Sequence, residues 1–287
     1  MKTAFVTDSG TGETIEQLSK DGVYSVPLQV SYDHLNFNDA LDITIDEVYE
    51  KMREGKMLST SLPSLGKIEE LFSSLKNQGY ERIFAVPICS GLSGTINAME
   101  MTAKELGLMF EYVDCHVTAV VQGYLIRLAK RLYEEGKSME MIKEACAKVI
   151  HTTDTLLLPD DLMHLKRGGR LTPLAATLGS MLKIKPILQL NKGTAGKVDV
   201  LDKVRTMTKA LSRMVDVAKQ DGFDPQSYEL RLLDSEGGDS VEQLTKLLEE
   251  NFEGCTIQRS TVCPVIAAHT GLGVVAIQYQ KKVEGIE

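Results

Sequence analysis

No stretch of this chain approaches about 18 uninterrupted apolar residues, which excludes a membrane-spanning helix. The opening residues, MKTAFVTDSG, carry one Lys and no apolar run of the length a secretory leader needs, so a cytoplasmic protein is expected. Cysteine is scarce. Cys89, Cys115, Cys146, Cys255 and Cys263 form no CxxC pair, and their odd number and scattered spacing read as reduced thiols in a cytosol. No His stands at helical i,i+4 spacing from another His or a Cys, so a metal-ligand pattern is missing. A phosphate-binding GxxxxGK[ST] loop is missing too, because Gly193 and Gly196 stand too close to Lys197. The segment Gly91-Leu92-Ser93-Gly94-Thr95 lacks the final glycine of a GxSxG nucleophile elbow, which argues against a serine hydrolase. Positive charge is in deficit: 32 Lys and Arg face 40 Asp and Glu, a net charge near −8. That excludes nucleic-acid neutralisation as the main task and disfavours strong adhesion to anionic membranes. Transient membrane contact through a local basic patch stays open.

What is present fits an ordinary globular protein, with 43% hydrophobic and 25% charged residues in 287, enough for two domains. The first half alternates strands and helices. Thr3–Thr7, Val23–Val30, Arg82–Ile88 and Phe110–Asp114 read as strands. Glu13–Lys20, Ile43–Glu54, Ser64–Asn77, Ile96–Leu106, Val117–Tyr133 and Met139–Ile150 read as helices. This rhythm predicts a parallel sheet covered by helices on both faces. The second half mixes patterns. Helical stretches at Asp160–Gly169, Leu174–Leu182, Lys203–Lys219 and Ser240–Asn251 accompany strands at Ile184–Leu190, Val198–Leu201, Tyr228–Leu233, Thr256–Thr261 and Val274–Gln280. Asn191-Lys192-Gly193 marks a hairpin turn. The fold class expected is α/β in two domains. An N-terminal parallel-sheet α/β domain covers residues 1–155, and a C-terminal α+β domain with a mixed sheet covers residues 156–287.

Ligands of parallel sheets bind at the carboxyl ends of strands. Ser90-Gly91-Leu92-Ser93-Gly94-Thr95 stands there, offering hydroxyls and backbone N–H groups beside a helix start. It reads either as an anion site or as a capped turn with Ser93 at the N-cap. Ser59-Thr60-Ser61-Leu62-Pro63-Ser64 is a second hydroxyl cluster, for which helix capping is the ordinary role. Asp8-Ser9-Gly10-Thr11-Gly12 is similar to the first phosphate loop of actin-like kinases, but no second Asp-Gly loop or Gly-Gly adenosine loop follows. Lys166-Arg167-Gly168-Gly169-Arg170 is a basic helix end, and His269 leads Thr270-Gly271-Leu272-Gly273. Met99, Met101, Met109, Met181 and Met207 could line an apolar tunnel, though core filling is the commoner use of Met.

Together these segments resemble the DegV family. The marks are Val6-Thr7-Asp8-Ser9, Thr60-Ser61-Leu62-Pro63, Ser90–Thr95, Leu165–Arg170, Leu182-Lys183-Ile184-Lys185-Pro186-Ile187, Val204-Arg205-Thr206 and His269-Thr270-Gly271. The resemblance implies a non-catalytic bacterial protein that encloses a long-chain fatty acid between two domains. It would present the carboxylate to the ATP-binding subunit of a fatty acid kinase, for phospholipid synthesis, with no cofactor of its own. It further implies that Thr60, Ser61, Ser93, Gly94, Thr95 and His269 surround the carboxylate. Ser9, Arg170 and Arg205 would serve the pocket or the partner, Arg205 at the kinase subunit. The chain departs from the family pattern at Gly10-Thr11-Gly12, at Leu62 for a common Gln and at Leu272 for a common Pro. These positions bear on the pocket mouth and on chain-length preference. Burying an acyl chain of about 16 carbons supplies on the order of 12 kcal/mol before ordering costs. Neutral hydroxyls can then hold the head group loosely enough to leave it reactive. The alternative is a self-sufficient small-molecule kinase built on Asp8-Ser9-Gly10-Thr11-Gly12.

Overall fold

The computed structural model describes residues 1–177 and 184–283. In chain order the first half comprises β1 (Thr3–Asp8), α1 (Ile15–Lys20), β2 (Tyr24–Val26), β3 (Gln29–Tyr32), β4 (Leu35–Asn38) and α2 (Ile45–Arg53). There follow β5 (Ser59–Ser61), α3 (Leu65–Asn77), β6 (Arg82–Ala85), α4 (Thr95–Glu105), β7 (Met109–Tyr112), α5 (Val120–Glu134) and α6 (Met139–Thr152). The second half contains β8 (Asp154–Leu158), α7 (Met163–Gly168), α8 (Pro173–Ala176), β9 (Lys185–Leu190), β10 (Asp199–Val204) and α9 (Met207–Gln220). It continues with β11 (Tyr228–Ser235), α10 (Asp239–Asn251), β12 (Ile257–Thr261), α11 (Pro264–Thr270) and β13 (Val274–Lys281).

Four strands form a parallel sheet in the order β2-β1-β6-β7. Every residue of β1 is buried, as a strand covered on both faces requires. Six strands form a mixed sheet in the order β10-β9-β8-β13-β11-β12, antiparallel except for the parallel β11–β12 pair. The architecture is the expected α/β class, a parallel sheet joined to a mixed one. A third sheet, β4-β3-β5, was not foreseen. The run Val23–Val30 is two strands rather than one, because Pro27 has no N–H to continue a ladder. Its first part joins the parallel sheet, and its second turns away to pair with β4 and β5.

Two further expectations are corrected. Ser59–Ser61 does not cap a helix. It is β5, placing Thr60 opposite Val30, and Ser64 caps α3 by accepting from Lys67 N. The helix expected from Lys203 starts at Met207, because Thr206 is the N-cap and Lys203 and Val204 close β10. Arg205 therefore stands exposed between strand and cap, outside the helix's first turn. Leu178–Leu182 of the helix expected at Leu174–Leu182, Met181, and Leu182-Lys183 of the family mark lie outside the described residues.

Candidate functional site

Along β8, β11 and β13, alternate residues share a face, and that face meets the loops at the carboxyl ends of the parallel sheet. Between them lies a cavity of about 940 Å³, its open mouth included. The mixed sheet contributes Leu157, Leu190, Leu233, Val274 and Ala276, and the facing wall is Leu28, Ile88, Leu92, Ala119, Val265 and Ile266. The polar floor groups are already engaged. Gln278 donates to Thr118 O (2.9 Å) and Thr155 Oγ1 (2.8 Å) and accepts from Val121 N (3.0 Å). By strand rise, Gln278 lies about 13 Å along β13 from Val274.

The mouth behaves differently. Thr60 on β5 meets His269 on α11, with Oγ1 and Nε2 2.6 Å apart. Burial, then the neighbouring Arg170, push the His269 pKa down to about 4, so the imidazole is neutral at pH 7. Arg170 donates to Leu92 O (3.2 Å) and Gly168 O (2.5 Å), which ties it to the loop carrying Ser93. The Ser93 and Thr95 hydroxyls lie 2.8 Å apart, and Gly94 is the α4 N-cap with no side-chain cap bond. Ser93 is therefore not the cap, and it lines the cavity.

One close approach sets this loop. A Cβ on Gly91 would stand 2.2 Å from Gly196 O and 2.7 Å from Ala195 O, so only glycine admits the β9–β10 loop here. The same junction concentrates positive φ at non-glycine residues, with His116 at 55°, Ala119 at 61° and Ala195 at 54°. Such strain clusters where the surrounding structure over-determines the backbone.

The structure thus brings Thr60, Ser61, Ser93, Arg170 and His269 to one cavity. Thr95 is buried beside it, bonded to Ser93. Ser9 and Arg205 do not line it. Ser9 is buried and accepts from Leu28 N (3.0 Å). None of the four described Met residues proposed for a tunnel lines the cavity: Met99 is core, Met207 packs on the other core, and Met101 and Met109 are exposed. In the first loop, the Asp8 carboxylate is fully buried and accepts from Gly10 N (2.9 Å), Gln122 Nε2 (2.8 Å) and Ile88 N (2.8 Å). Its pKa rises to about 6 through desolvation. Nothing of it remains open to a magnesium ion.

Sequence reasoning missed Gln278, Thr155 and the Ala195–Gly196 contact. For Gln278 a signal existed, a polar residue on the inward period of the apolar strand Val274–Lys281. For Gly91 none did, because loop glycines carry no mark of what will approach them.

The sequence profile described as "Uncharacterised protein, DegV family" matches residues 2–282. A DegV domain-containing protein of Streptococcus pneumoniae is 30% identical over 281 residues, 97% of this chain and 99% of the relative. Among solved structures, a fatty acid binding DegV family protein from Streptococcus agalactiae superposes with a TM-score of 0.87. It is 30% identical, over 99% of this chain and all of the other. A stearic acid-binding protein from Eubacterium ventriosum gives 0.84 at 25% identity, over 98% of each chain.

Proposed function

Taking as premise that the chain belongs to the DegV family, we propose that it carries a long-chain fatty acid in its cavity. It presents the carboxylate to a separate kinase subunit and is not itself a catalyst. One observation carries this reading: an aliphatic cavity whose floor polar groups bond to one another, while Thr60 and Ser93 line it with hydroxyls bonded only to His269 and Thr95, and Ser61 lines it with its hydroxyl on Gln29. A long apolar tail fits the first part, and an acceptor-only carboxylate fits the second. The fatty acids named for the similar Streptococcus agalactiae and Eubacterium ventriosum proteins support the ligand class. In this reading Thr60, Ser61, Ser93, Thr95 and Gly94 form the head-group site, with His269 behind Thr60. Residues 1–155 hold the carboxylate and residues 156–287 cover the tail. Because β8 begins at Asp154 within the mixed sheet, the division is better drawn just ahead of that strand.

Presentation to a kinase rests on Arg205 and its surroundings. The stretch from Lys166 to Arg213 holds eleven of the 32 Lys and Arg but only two of the 40 Asp and Glu. The Leu171–Val198 bridge sets the Lys166–Arg170 turn beside β10, the edge strand that ends next to Arg205. A basic face on an acidic protein suits an acidic partner and a salt-sensitive encounter. A cytoplasmic setting with reduced thiols belongs to the same proposal, since all five cysteines are free. The self-sufficient kinase draws no support from Asp8, whose oxygens are spent inside the protein.

The test is organic extraction and mass spectrometry of freshly purified protein, followed by palmitate titration. About one fatty acid per chain is expected, and no stoichiometric lipid with no binding of added palmitate refutes the carrier. Arg205→Ala should keep palmitate affinity yet lower acyl phosphate formation with the kinase subunit and ATP, a deficit that shrinks as salt screens the wild-type contact. Acyl phosphate formed by the chain alone with ATP and magnesium would instead establish the self-sufficient kinase.

A further inference from the structure

A neutral imidazole keeps one N–H, and its placement decides what Thr60 offers the cavity. His269 Nδ1 is buried and has no hydrogen-bond partner, while Nε2 lies 2.6 Å from Thr60 Oγ1. If Nδ1 carried the proton, a buried N–H would be orphaned, and Nε2 would take the only proton of Thr60. If Nε2 carries it, the orphan is a lone pair, and the Thr60 O–H is free to point at a ligand. Orphaned buried N–H groups are rarer than unfilled acceptors, which favours the second arrangement. Gly168 keeps water and donors away from Nδ1. A Cβ on it would stand 2.1 Å from Nδ1 and 2.9 Å from Cε1. Gly168 closes α7 and is not among the glycines with positive φ, so its backbone does not require glycine. The requirement comes from the ring packed on it.

We propose that Gly168 is a positioning residue whose bare Cα, packed on Nδ1, holds His269 as an Nε2–H donor and leaves Thr60 a hydroxyl donor toward the ligand. The inference rests on the fatty-acid reading for its ligand, but the tautomer stands or falls in the free protein. A carboxylate accepts only, so a head-group site of donors selects it.

The experiment uses uniformly 15N-labelled full-length chain and long-range 1H–15N correlation of the His269 ring, with palmitate titration alongside. Wild type should show a protonated Nε2 and a bare Nδ1 at neutral pH. Gly168→Ala should disturb that signature and weaken palmitate binding about tenfold or more, as Thr60→Val should. In a His269→Ala background, where the ring is gone, Gly168→Ala should add nothing. An Nδ1–H tautomer or an imidazolium in wild type would overturn the proposal. So would wild-type affinity in Gly168→Ala, or an equal loss in both backgrounds. If wild type shows the Nε2–H tautomer but binds no palmitate, the carrier reading fails and the tautomer assignment stands.

Discussion

Two loops of this chain look alike in composition and stand alike in the fold, yet only one opens. Asp8–Gly12 follows β1 and Ser90–Thr95 lies beyond β6, the adjacent strand of the same parallel sheet. Both are made of glycine and hydroxyl residues. In the first, Asp8 gathers three protein donors, Ser9 accepts from Leu28 N, and Thr11 accepts from Glu13 N. In the second, Ser93 keeps its hydroxyl at a cavity and shares only the Thr95 hydroxyl. The difference teaches that a loop's residue types do not make a site. Donors left unspent beside an empty volume do.

The contrast breaks most visibly at Asp8. Asp8→Ala orphans Gly10 N, Ile88 N and one N–H of Gln122, which keeps its bond to Thr7 Oγ1, and should lower unfolding free energy by about 3–5 kcal/mol in urea titrations. Only an indirect effect on ligand is expected, through loss of folded protein. Ser93→Ala should do the opposite. It should change stability by less than about 1 kcal/mol but weaken palmitate binding by roughly 1.5–3 kcal/mol, read by calorimetry. If Ser93→Ala destabilises as Asp8→Ala does, the two loops do not differ as described.

Asp39 sharpens the comparison at the closed end. Its carboxylate is almost wholly buried against Asp8, Ser9 and Cys263, and neither oxygen makes a well-formed hydrogen bond. Desolvation raises its pKa to about 6, against the Ser9 and Ala40 groups that lower it. Because the folded value lies above the unfolded 3.8, its favourable contribution is complete below about pH 4 and is lost as pH rises through about 6. Asp39→Asn should therefore stabilise the protein by about 1–2 kcal/mol at pH 7.5 and by almost nothing at pH 4. A gain of equal size at both pH values would show that charge is not the cause. The smallest effect belongs to Ser90. Its hydroxyl bonds to Asp114 at an exposed position, and Ser90→Ala should leave palmitate affinity unchanged within about twofold.

Much of this was legible in the sequence because it rests on local chemistry. The capping box of Thr44 and Glu47 starts α2 near the point its apolar period predicts, and Ser64 enters α3 as expected. The buried run of β1 and the β9–β10 hairpin were likewise visible. What stayed hidden depends on distant partners. Pro27 shows that a ladder must stop, but not that the chain then builds a third sheet with β5. Thr60 on that strand reaches His269 across 209 residues, and Gly91 touches a loop more than a hundred residues later. Hydroxyl runs looked like caps because capping is decided within one turn, whereas their engagement here is decided by tertiary pairing.

The strand order also carries a consequence for how the protein is made. β13 lies between β8 and β11, although it follows every other strand of its sheet in the chain. Until it is inserted, β10-β9-β8 and β11-β12 are separate fragments with open edges. β13 itself supplies Val274, Ala276 and Gln278 to the cavity wall, and α11 just before it supplies His269. A growing chain on the ribosome can therefore complete its parallel sheet early but has no complete cavity until this strand emerges. Partial chains would expose sheet edges to chaperones and proteases until β13 joins the two fragments and closes the cavity wall.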